Sequence, residues 1–108
     1  MAYDEVLATR VGEALEPTAE VTERKMFGGL AFMLDGHMFV GVVGDELMLR
    51  LGHDAADRAL ERPHVREMDF TGRAMKGYVF VGAEGLHGRA LRPWVMRAAE
   101  FVSTLPPK

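Results

Sequence analysis

Four histidines, His37, His53, His64 and His87, are the natural first candidates for chemistry, because imidazole both ligates metals and relays protons. No two of them stand at the His-x-x-x-His spacing of a zinc-binding helix. His53 and Asp57 are four residues apart and could share a helix face, which is a weak two-ligand pattern. His87 has Glu84 nearby, an acid and a base with no nucleophile beside them. Asp54 and Asp57 read as acids of a helix start, where they complement the helix dipole, and Asp45-Glu46 reads as turn chemistry. The one serine, Ser103, lies near the C-terminal end, which argues against serine-hydrolase chemistry. Cysteine is absent, so disulfides, thiol catalysis and cysteine-ligated metals are excluded. Gly28-Gly29 lacks the spacing of a phosphate loop and precedes a strand pattern, so it reads as a bend or bulge. These residues predict no catalytic group, no cofactor and no metal.

The charge pattern carries more. The chain has a formal net charge of −3. Between residues 71 and 99, however, Arg73, Lys76, Arg89, Arg92 and Arg97 face a single acid, Glu84. That basic third could engage an acidic partner, and Arg73, Lys76, Arg89 and Arg92 are its candidate contacts. A pI of about 5.8 with no aromatic ladder among the charges argues against direct nucleic-acid binding. The acidic start, Met1-Ala2-Tyr3-Asp4-Glu5, is unlike a signal peptide, and no apolar run reaches the ~20 residues of a membrane helix. The cytoplasm is the expected compartment.

These residues need elements to hold them. Tyr3, Val6, Leu7, Val11, Ala14 and Leu15 recur at helical spacing, and Pro17 stops that helix. Strands are predicted over 21–27, 30–34, 37–43 and 46–51, with tight turns at Asp35-Gly36 and Gly44-Asp45. Leu47, Leu49 and Leu51 share one strand face, with Met48 and Arg50 on the other. A second helix is predicted over 54–61, with Ala56, Ala59 and Leu60 inward and Pro63 beyond its end. Strands at 65–70 and 78–81 follow, joined by a basic, flexible link at 71–77. A glycine-rich loop at 82–88 precedes a last helix whose stripe is Trp94, Val95, Ala98, Phe101 and Val102, with Pro93 in its first turn. Met26, Met33, Met38, Met48 and Met68 fall in predicted strands and read as core filling, while Met75 falls in the link. The expected fold is α+β in two layers: a mostly antiparallel sheet with three helices on one face, ordered α, three or four strands, α, two strands, α. Residues 1–108 are expected to form one domain.

Lys25-Met26-Phe27-Gly28-Gly29-Leu30-Ala31-Phe32 resembles the signature of the TfoX/Sxy N-terminal domain family. Residues 36–43, the stretch Leu47-Met48-Leu49-Arg50, residues 68–78 and the helix carrying Trp94 resemble further blocks of that family. The likeness runs through nearly the whole chain. It implies kinship with bacterial competence regulators, which act with a cyclic-AMP receptor protein at promoters and carry a second, C-terminal domain. This chain ends about where their first domain ends. The family brings no established catalytic residues. The function expected from sequence is therefore a non-enzymatic interaction module that binds a protein partner or a second copy of itself. The alternatives are a small-molecule or peptide binding domain using the basic 71–97 region, and an uncharacterised enzyme.

Overall fold

The computed structural model describes residues 3–16, 21–26, 29–70 and 73–106. Its elements are α1 (Glu5–Leu15), β1 (Thr22–Met26), β2 (Gly29–Leu34), β3 (His37–Val43), β4 (Glu46–Arg50), α2 (His53–Ala59), β5 (Val65–Phe70), β6 (Arg73–Val81) and α3 (Leu91–Ser103). The six strands form one antiparallel sheet in the order β1-β2-β3-β4-β6-β5. This is the α+β architecture expected from the short turns between amphipathic helices.

The turns explain the order. Leu34 pairs with His37 around Asp35 and Gly36, whose φ angles of 53° and 83° are both positive, as a type I′ turn requires. Val43 pairs with Glu46 around Gly44, at φ 59°, and Asp45. Two-residue turns leave no room for a crossover, so β2, β3 and β4 must lie side by side. Gly36→Val places a β-branched side chain in left-handed backbone, at a cost of about 1–2 kcal/mol. Urea melts should show that loss, and unchanged stability would contradict the turn.

One continuous core joins the helices to one sheet face. Leu7, Val11 and Leu15 of α1, Ala56 and Ala59 of α2, and Trp94, Val95, Ala98 and Val102 of α3 pack with Phe32, Val40, Val42, Leu47, Leu49, Val79 and Val81. Leu47 and Leu49 pair with Val81 and Val79, so the alternation read in β4 holds on its neighbour too. The opposite face bears no helix among the described residues. It has its own small cluster of Met48, Met68 and Phe80, flanked by half-buried Met38, Val43 and Tyr78. Met38, Met48 and Met68 therefore fill the helix-free face rather than the main core, and Met33 is half-buried in neither cluster. The Met26 and Met75 side chains lie outside the description. Arg66 of β5 lies 4.5 Å above the Phe80 ring and reaches across β6 to Glu46 of β4 at 2.6 and 3.0 Å. That pair is too exposed to contribute more than about 1 kcal/mol.

The structure departs from the sequence reading in several places. Val6 does not join the α1 stripe and is 71% exposed. The buried stripe is Leu7, Ala8, Val11, Ala14 and Leu15, and Val6 falls just outside that arc. Tyr3 precedes the helix and bridges Gly44, while Asp4 caps α1 by accepting from Val6 N and Leu7 N at 2.9 and 3.1 Å. The link at 71–77 is strand from Arg73 onward, because Phe70 pairs with Arg73 and Asp69 with Ala74. The glycine-rich loop contains two short 3₁₀ turns, Ala83–Leu86 and Gly88–Ala90. Arg10 of α1 pins them by donating to the carbonyls of Leu86 and Gly88 at 2.8 and 3.1 Å. Phe101 is only half-buried. The C-terminal tail is tied down as well: the His37 Nε2 atom lies 2.7 Å from the Pro106 carbonyl oxygen.

Candidate functional site

Of the family-motif residues, Lys25 and Met26 belong to β1, where they pair with Leu30 and Gly29. Phe27 and Gly28 lie outside the described residues. Gly29 opens β2 in a place with no room for a side chain: a Cβ there would collide with the Val42 carbonyl and crowd a Val43 methyl. The bend or bulge read at Gly29 is thus a regular strand residue in close backbone contact with β3. The motif builds the β1–β2–β3 junction, and of its described residues Leu30 lines a shallow hollow beside α1.

Of the four basic contacts expected from sequence, the structure describes the side chains of three, and Lys76 lies apart from Arg89 and Arg92. Arg73 is in β6, and its side chain lies outside the description. Lys76 is exposed on β6, next to Gly77, which packs on Gly52 and His53 at the start of α2. Gly52 in turn abuts the Phe101 ring near the C-terminal end of α3. Arg89 and Arg92 are exposed at the opposite, N-terminal end of that helix. The nine-residue step from Arg92 to Phe101 spans roughly 13 Å of helix axis, which separates Lys76 from the two arginines.

The histidine pairs gain no partners. His53, Asp57, Glu84 and His87 are all exposed. Among the described residues, no group of three or more His, Asp or Glu side chains is placed to hold a metal ion.

A different cationic site does form. Helices α2 and α3 run past each other, with Gly52 against Phe101 at one end and the segment after α2 against Trp94 at the other. Between them lies a cleft of about 320 Å³, floored by Leu51, Ala55, Ala59 and Trp94 and walled by Arg58, Arg62 and Arg97. The Arg62 and Arg97 guanidinium carbons stand 5.0 and 5.2 Å from the centre of the Trp94 ring, within cation–π range. Trp94 itself is buried at 5% exposure, so its ring is fixed by the core and fixes the two guanidiniums in turn. No carboxylate lines the cleft. Sequence reasoning counted Arg97 only as part of the basic third and missed Arg58 and Arg62, which sit in a net-acidic stretch. The available signal was their four-residue spacing beside Ala55 and Ala59.

An antiparallel sheet with three helices on one face, two of them enclosing a cleft, defines a two-layer α+β domain. The family model of the TfoX N-terminal domain matches residues 13–102, and the chain belongs to that family, which is not a known enzyme family. No curated protein and no solved structure matches the chain. Among the described residues, no helix is long and apolar enough to cross a membrane.

Proposed function

We propose that this protein is a non-enzymatic, cytoplasmic interaction module that works by binding another protein chain, either a partner or its own copy. Kinship with the competence regulators supports a role beside transcription. The observation that carries the reading is the helix-free sheet face, where half-buried Met38, Val43 and Tyr78 surround the buried Met48, Met68 and Phe80. The half-buried rim of that cluster offers apolar surface for a partner to cover, and methionine adapts its shape to a partner. The sheet edges favour contact through the face instead. Edge strand β1 carries Glu23, Arg24 and Lys25, and edge strand β5 carries Arg66 and Glu67, charges that discourage strand-to-strand pairing. Direct DNA binding is disfavoured, because a net charge of −3 gives little long-range attraction to phosphate.

Light scattering after size exclusion should detect a dimer, or affinity capture a defined protein complex, and Met38→Glu should weaken either one. An acidic partner would also respond to Arg73→Glu with Lys76→Glu, losing affinity and salt dependence together. Fluorescence anisotropy with duplex and single-stranded DNA at ~150 mM salt should give at most weak binding that fades as salt rises. A strictly monomeric protein that binds DNA tightly under those conditions would refute the reading.

A further inference from the structure

We propose that the α2–α3 cleft is a binding site for a small organic phosphate, with Arg58, Arg62 and Arg97 on the phosphoryl group and the apolar floor against its carbon body. The first argument is unmatched charge. Three guanidiniums converge on one cleft of a net-acidic protein, and among the described residues none of the three takes part in a hydrogen bond or ion pair. All three are exposed, so water screens their mutual repulsion, and an anion shared among them gains attraction from all three at once. Asp54 and Asp57 of α2, Glu61 just beyond it and Glu100 of α3 do not line the cleft.

The second argument is pre-organisation. Arg62 and Arg97 rest on a buried indole, so part of the entropy of ordering those long side chains is already lost before a ligand arrives. Arg58, in the last turn of α2, also suits the carbonyl end of its helix. Arg97 stands in the middle of α3 and has no such role.

The third argument is fit. A phosphate monoester presents three acceptor oxygens and nearly two negative charges, which suits several guanidinium forks better than a single carboxylate does. A cleft of about 320 Å³ is at the small end of ligand sites. Leu51, Ala55 and Ala59 give that space an apolar floor, which inorganic phosphate would leave unused.

The site contains the only tryptophan of the chain, so its fluorescence reports occupancy directly. The wild-type protein is titrated with glycerol 3-phosphate, inorganic phosphate and glycerol at a constant ionic strength of ~150 mM, with calorimetry alongside. Saturable binding is expected for glycerol 3-phosphate, weaker binding for inorganic phosphate and none for glycerol. Arg62→Gln and Arg97→Gln should each weaken the ester roughly tenfold or more. Arg24→Gln, on the distant β1 edge, should not, and melting curves confirm that each variant is folded. The absence of saturable binding by either method up to ~10 mM ester would overturn the proposal. So would an equal loss in Arg24→Gln, which would mean diffuse charge attraction. Equal affinity for phosphate and its ester would overturn the organic-ligand assignment. No protein partner enters the measurement, so its outcome is separate from that of the interaction reading above.

Discussion

Replacing Trp94 by alanine is expected to remove roughly 3–5 kcal/mol of stability, the usual cost of truncating a large buried aromatic side chain. Trp94 is 5% exposed and belongs to the same core as Val95, Ala98 and Val102 of its own helix and Leu47, Leu49, Val79 and Val81 of the sheet. Its removal leaves a cavity where α3 meets the segment after α2, and it strips Arg62 and Arg97 of the ring they rest on. Small domains hold only about 5–15 kcal/mol in total, so this single change consumes a large share of that margin. Urea melts followed by circular dichroism measure it, since the fluorescent reporter is gone from the variant. A loss below about 1 kcal/mol would show that the ring is not part of the core. The same variant links stability to the cleft: with the indole absent, Arg62 and Arg97 regain their freedom, and phosphate binding should fall even where the domain remains folded.

Most of the sheet was legible because its signals are local. Asp35-Gly36 dictates its turn through the left-handed backbone that only a few residue types tolerate. Leu47, Leu49 and Leu51 announce a one-sided strand through simple alternation. The first half of β6 was illegible for the same reason. Arg73-Ala74-Met75-Lys76-Gly77 has no alternation to read, and Gly77 at φ 87° breaks the strand conformation where it passes Gly52. Val6 misled because a helical pattern can be phased in more than one way until a partner surface selects the buried arc. The cleft was legible only in part, through the four-residue spacing of Arg58 and Arg62. Arg58 and Arg97 are far apart in sequence, and only the fold brings them to one cleft. The family motif was recognisable as a string, but its physical reason lies in how closely β2 approaches β3.

Gly29→Ala tests that reason and is expected to destabilise the domain by about 2–3 kcal/mol, the cost of forcing an extra methyl into packed structure. Gly29 pairs with Met26 and lies against the backbone of Val42 and the side chain of Val43. The atom a new Cβ would meet is the Val42 carbonyl oxygen, which is fixed by the sheet and cannot swing aside. The backbone angle at Gly29 is not the obstacle, because its φ lies outside the left-handed range. The conflict is steric, and any side chain there must push β2 away from β3. Gly41 supplies the comparison within the same sheet. A Cβ at Gly41 would come 3.1 Å from the terminal methyl of Met48, a flexible group that can rotate away. Gly41→Ala is therefore expected to cost less than about 1 kcal/mol. The two substitutions add the same single carbon to neighbouring strands, so hydrophobicity and helix or strand propensity largely cancel between them. Parallel urea melts decide the matter by rank order. A Gly29→Ala loss no larger than that of Gly41→Ala would mean that the glycine of the motif is not required by the β2–β3 junction.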